Sequence, residues 1–170
     1  MMLFDDMDLK ILEELQANGR LTNVELASRV GLSPSPCLAR VRSLEEAGII
    51  GRYVALLDAE RIGPSVSVFI QITLERQSDA FLAEFETVIA GMPEVMECYL
   101  MSGDSDYLLR VLVRDTVHLR DFVRDTLTKL PGVAKIRSSF ALKQVKYQTA
   151  LPLGRMTDAR GPRSRASHRR

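Results

Sequence analysis

Two cysteines, two histidines and no long apolar run set the first limits on this 170-residue sequence. A membrane span needs about 18–20 consecutive apolar residues, and no stretch approaches that, so no membrane partner is expected. Cys37 and Cys98 stand alone, without a CxxC pair or a neighbouring histidine. They indicate neither a disulfide framework nor a zinc site, and no metal or cofactor is expected. His118 falls in a helical pattern between Val117 and Leu119, and His168 lies near the end of the chain. Neither has an evident thiol or carboxylate partner, so no catalytic residues are assigned. The start, Met1 to Asp6, lacks a basic region followed by an apolar stretch, which makes the cytoplasm the expected compartment.

Charge of one sign is also missing, until it is mapped. The net charge is only +1, but residues 152–170 hold six arginines against one aspartate. That leaves the rest of the chain at −4, so the cationic excess is concentrated at one end. Residues 152–170 are rich in Pro, Gly, Ser and Arg and cannot form a packed core, so a disordered basic tail is expected there. With 46% hydrophobic and 26% charged residues, the remainder reads as globular.

The stretch from Val24 to Ile50 carries the strongest local signal. Val24, Leu26, Ala27 and Val30 mark a helix closed by Gly31, a residue that favours the left-handed C-terminal cap. Ser33 can cap a second helix, with Pro34 at its first position, where a missing N–H costs nothing. Leu38, Val41 and Leu44 then repeat every third residue and are expected to face inward, leaving Ser35, Cys37, Arg40 and Arg42 outside. Upstream, Asp6 or Asp8 can cap a first helix with an apolar stripe of Leu9, Ile11, Leu12 and Leu15, and Thr22 with Glu25 has the spacing of a capping box. Three helices around one small core, with a glycine turn before a cationic helix, describe a helix-turn-helix.

The periodicity changes after Pro64. Val66, Val68, Ile70, Ile72 and Leu74 alternate as in a strand. A helix follows over Phe81 to Ile89, then strands over Val95 to Met101 and Tyr107 to Val113 about a turn at Gly103 to Asp106. A helix from Val117 to Leu127 and an extended segment from Val133 to Tyr147 complete a β-α-β-β-α-β order, the ferredoxin-like split. Two helices cover one sheet face only. Phe69, Tyr99, Met101, Leu108 and Leu112 would leave the other apolar as well, which points to a homodimer packed sheet on sheet.

The fold class expected is therefore α+β. A helix-turn-helix three-helix DNA-binding domain (1–50) is joined by a β-ribbon and linker (51–64) to a ferredoxin-like oligomerisation domain (65–151), followed by the basic tail (152–170). The ribbon is read from Ile49-Ile50 and Tyr53 to Leu57.

With both halves in view, the chain resembles the Lrp/AsnC family of leucine-responsive and asparagine-responsive transcription regulators, from about Leu3 to about Leu151. Asp8 to Leu12, Leu26 to Cys37, Arg40-Val41 and Leu44 to Ile50 carry the likeness in the first half, and Ser102 to Leu109 in the second. The resemblance implies double-stranded DNA as one partner, a small-molecule effector such as an amino acid as another, and a homodimer or larger even-numbered homo-oligomer.

On the reading helix the candidate DNA contacts are Ser35, Pro36, Cys37, Arg40 and Arg42, with Ser33 and Arg52 nearer the DNA backbone. Cys37 reads equally well as a small, half-buried packing residue, and Pro36 speaks more for helix geometry than for contact. An arginine can grip guanine bidentately or hold a phosphate, and both roles stay open. The resemblance turns Ser102, Gly103, Asp104, Ser105, Asp106 and Tyr107 from a plain polar turn into the effector loop, with Ser138 and Ser139 as weaker lining candidates. Some relatives on this two-domain plan look like haem-pathway decarboxylases. That enzyme alternative would need positioned acid–base groups, and His118 has no evident partner for the task.

Overall fold

Asp5 starts the first helix. Its carboxylate accepts from the amides of Met7 (2.9 Å) and Asp8 (2.8 Å), while the Asp8 carboxylate accepts from the Asp5 amide (3.2 Å), a reciprocal cap. Asp5, not Asp6 or Asp8, is thus the N-cap of α1 (Asp6–Ala17). The computed structural model describes residues 5–63, 65–76 and 78–154. In α2 (Asn23–Val30) the expected box is present: the Glu25 amide donates to the Thr22 hydroxyl, and the Glu25 carboxylate accepts from the Thr22 amide at 2.8 Å. Gly31 closes α2 at φ 76°, where only glycine is unstrained. α3 runs Pro34–Glu46 with Ser33 as N-cap.

These helices close over Ile11, Leu12, Leu26, Ala27, Val30, Cys37 and Leu44. Cys37 is fully buried, whereas Leu38 is 37% exposed. The expected i, i+3 stripe is therefore rotated. At 3.6 residues per turn, positions 38, 41 and 44 fan over roughly 120°, while 37, 41 and 44 span only about 60°. The narrower stripe is the one that packs.

The chain divides into two compact units. One comprises the described parts of Met1–Ala55 and Lys146–Arg170, the other Leu56–Val145. By contact, residues 146–154 group with the helices, although the expected second domain runs on to 151. Leu153, assigned to the tail, packs partly buried against the helical core. The rest of that basic tail, from position 155, lies outside the described residues. Among the described residues the ribbon is not formed: residues 51–58 join no ladder, and the Ile49 and Ile50 amides both donate to the Leu44 carbonyl.

The second unit opens with a single turn, α4 (Ala59–Ile62), and continues β1 (Val66–Leu74), α5 (Asp79–Ala90), β2 (Val95–Leu100), β3 (Tyr107–Val113), α6 (Thr116–Asp125), a 3-10 turn (Leu127–Lys129) and β4 (Val133–Phe140). The sheet order is β2-β3-β1-β4, antiparallel throughout, as the ferredoxin-like reading requires. Alternation sorts the faces. Val68, Ile70 and Ile72 of β1 and Leu109 and Val111 of β3 pack against Phe85, Ile89, Leu119 and Phe122. Gly132 enters β4 at φ 73°, with the Phe81 ring standing where a Cβ would go. The final strand stops at Phe140, and residues 141–149 join no ladder among the described residues. Among the described residues, no helix is long and apolar enough to cross a membrane.

Candidate nucleic-acid and effector sites

In the helical unit, the stripe that buries Cys37, Val41 and Leu44 turns Ser35, Ala39, Arg42 and Glu46 to solvent. Ser33, Ser35, Pro36, Arg42 and Arg52 are exposed, and Arg42 and Arg52 form no ion pair with any described residue. Two candidates stand elsewhere. Cys37 presents no surface to a ligand, and burial pushes its thiol pKa up, so it packs rather than reads. Arg40 is committed: its Nη1 lies 2.7 Å from both Asp5 Oδ2 and Asp8 Oδ1. The amide of Asp8, and then Arg40, hold the Asp5 carboxyl below its usual range. Arg40 therefore pins α3 to the start of α1.

The start of α3 is a poor anion trap. Helix N-termini bind phosphate through free N–H groups, but Pro34 and Pro36 remove two of those donors. Of the first three helical positions only Ser35 keeps its N–H, so an anion at this end would depend mainly on side chains. Asn23 secures the turn by donating its Nδ2 to the Pro34 carbonyl at 2.8 Å. Tyr53 folds back onto α3, its hydroxyl donating to Glu45 at 3.0 Å, and burial followed by that carboxylate raises its pKa to about 12.

In the sheet unit, the turn at Gly103 is organised by Asp106. The Asp106 carboxylate accepts from the Leu74 amide at 2.7 Å, and its own amide donates to the Ile72 carbonyl at 2.9 Å. This stitches the turn to β1 where the register shifts between Thr73 and Leu74. Tyr107 points to the helix-covered side, its hydroxyl donating to Glu86 at 2.7 Å and its ring 4.6 Å from that of Phe85. Asp106 and Tyr107 are thus supports of the loop.

Asp104 and Ser105 instead line a cavity of about 330 Å³ with Gln71, Thr73, Lys135 and Arg137. Ser102 and Gly103 stay exposed in the loop, and Ser138 and Ser139 do not line the cavity. The ladder makes this site, pairing Gln71 with Arg137 and Thr73 with Lys135 on the open face. No described carboxylate forms an ion pair with Lys135 or Arg137, although Asp104 faces the same concavity. Alternation of Gln71 with Thr73 and of Lys135 with Arg137 is visible in the sequence. That the two strands are neighbours is not. The same face carries exposed Phe69, Tyr99 and Met101, and an Arg110–Glu97 pair at 2.6 Å.

Comparison with known proteins assigns a family profile to each half of the chain, the second of them running six residues past Val145. Residues 67–151 match the profile of the Lrp/AsnC ligand binding domain, and residues 4–50 that of a winged helix-turn-helix DNA-binding domain. The Bkd operon transcriptional regulator of Pseudomonas aeruginosa is 50% identical over 88% of this chain and 97% of its own length. The leucine-responsive regulatory protein of Escherichia coli is 45% identical over 86% and 90%. A transcriptional regulator from Neisseria meningitidis, solved as a complex with L-methionine, superposes with a TM-score of 0.85 at 44% identity, covering 91% of this chain and 99% of that one.

Proposed function

The chain belongs to the Lrp/AsnC family of transcription regulators, and from that premise we propose how it reads DNA and what it senses. It is a DNA-binding regulator; the named relatives are regulators, which removes the decarboxylase alternative. Duplex DNA is read by α3 through Ser35 and Arg42, with Ser33 and Arg52 along the backbone and Pro36 setting the geometry of the first turn. Arg40 supports that helix from behind.

The effector is an α-amino acid seated in the cavity beside Gly103. The observation carrying this reading is opposite charge converging on one concavity: Lys135 and Arg137 on one wall, Asp104 on another. An amino acid carries a carboxylate and an ammonium on adjacent atoms and can satisfy both. Arginine binds carboxylate in a two-pronged geometry that also fixes orientation. The cavity volume falls within the ~300–1,000 Å³ usual for small-ligand sites. The Neisseria relative, bound to L-methionine, supports an apolar side chain on that amino acid.

A second copy of the chain covers the open sheet face. Phe69, Tyr99 and Met101 are exposed on it, and Leu142 and Val145, at 96% and 88% exposure, extend from its edge strand without partners. A monomeric protein seldom leaves such surface to water. The cytoplasm remains the expected compartment. A thermal-shift screen of the amino acids, with and without DNA, tests the effector reading. L-Methionine or L-leucine is expected to raise the melting temperature, and no hit among the apolar amino acids would overturn it.

A further inference from the structure

Residues 150–154 return to α1. The Leu151 amide donates to Gln16 Oε1 at 2.6 Å, and Gln16 Nε2 donates to the Leu151 carbonyl at 3.3 Å. One side-chain amide thus grips both polar groups of one backbone residue, as a neighbouring strand would. Two residues on, Leu153 packs among the residues of the helical core. The chain therefore passes between the two units twice, once near Ala55 and once near Val145.

We propose that residues 141–154 form a strap. Anchored by β4 at one end and by Gln16 and the helical core at the other, it makes a second tether that restricts how the DNA-binding unit moves. One flexible linker would leave that unit free to swing. A second connection closes a loop and removes much of that freedom, because every orientation must satisfy both spans. The free span is short: the ten residues following Phe140 reach at most about 36 Å when fully extended. Restricting the reading helix in advance reduces the ordering cost that binding would otherwise carry. The strap also runs directly on from β4, which bears Lys135 and Arg137, making it a covalent route from that cavity to α1. That last consequence rests on the effector reading; the tether does not.

The test needs neither effector nor DNA. Spin labels are placed at exposed positions by Glu13→Cys and Glu84→Cys in a Cys98→Ser background, Cys37 being buried and unreactive. Labelled chains are diluted into unlabelled protein, and the distance distribution is measured by pulsed dipolar spectroscopy. Leu151→Pro removes the N–H that Gln16 accepts, and Leu153→Ala in the same chain withdraws the side chain packed against the helical core; Gln16→Ala combined with Leu153→Ala is the companion variant. The unaltered clasp is expected to give a narrow distribution, and both variants one at least about twice as wide, with unchanged circular dichroism. Equal widths with and without the clasp, whether narrow or broad, would overturn the proposal. So would a Leu151 amide that exchanges with solvent as fast as an open chain.

Discussion

The helical unit and the sheet unit each leave a few charges unpaired, and they leave them in different shapes. In the helical unit, Arg40 is bound by Asp5 and Asp8 and Arg29 by Glu14, while the exposed Arg42 and Arg52 pair with no described carboxylate. In the sheet unit, Arg110 is bound by Glu97, while Lys135, Arg137 and Asp104 converge on one concavity. Paired charges hold elements together, at a modest net gain. Free cations of one sign on a convex surface suit a polyanion, which supplies phosphates in a row. Free charges of both signs in a cavity suit a small dipolar ligand. Which partner a site takes is therefore legible from what its charges are not already holding.

The largest effect expected is at the cavity. Arg137→Glu removes the carboxylate partner and adds a like charge, so amino-acid affinity should fall by ~100-fold or more, given about 1.5–3 kcal/mol for a charge-assisted bond and further repulsion. Ligand-free DNA binding should be unchanged. Calorimetry and fluorescence anisotropy read the two arms, and loss of both together would dissolve the contrast between the units.

Next is the division of labour on α3. Arg42→Ala should weaken DNA binding by about 1–3 kcal/mol if it reads a base, or lower the log–log salt slope by about 1 if it holds a phosphate. Arg40→Ala should leave affinity per folded molecule nearly intact and instead lower the melting temperature. The reverse pattern would return Arg40 to the reading surface. Cys37→Ser sharpens the same point: a hydroxyl without a partner in this apolar core should cost about 1–3 kcal/mol of stability. Iodoacetamide should label Cys98 and spare Cys37 in the folded protein.

The α1 and α3 elements, the glycine cap and the β-α-β-β-α-β order were legible because each depends on neighbours within a few residues. Cys37 was misplaced because a three-residue repeat imitates a helical stripe whose true period is 3.6. Asp106 and Tyr107 carry the same motif as Asp104 and Ser105, but Leu74 and Glu86, far off in the chain, engage the first two. Gln71, Thr73, Lys135 and Arg137 were invisible as a site for the same reason: a register between β1 and β4 creates it. The ribbon expected over Tyr53 to Leu57 had a strand's composition, but no second strand among the described residues pairs with it.

The smallest effect expected is on acid stability. Asp5 has its folded pKa lowered by the Asp8 amide and by Arg40, from an ordinary value of 3.8. A lowered carboxyl pKa stabilises the fold above the unfolded value, and that contribution is lost as pH falls through the folded value. Asp5→Asn should therefore lower the melting temperature slightly at neutral pH and make no difference at pH well below 3.8, the ordinary value. A constant difference across that range would remove Asp5 from the account.

The most direct measurement compares three ligands by calorimetry: L-methionine, its carboxamide and its N-acetyl derivative. The first carries both charges, the second lacks the carboxylate that Lys135 and Arg137 would hold, and the third lacks the ammonium facing Asp104. Binding of L-methionine with at least about tenfold weaker binding of both analogues, a loss of about 1.4 kcal/mol each, is the predicted result. An analogue that binds as well as L-methionine would show that the cavity does not recognise an amino acid by its paired charges.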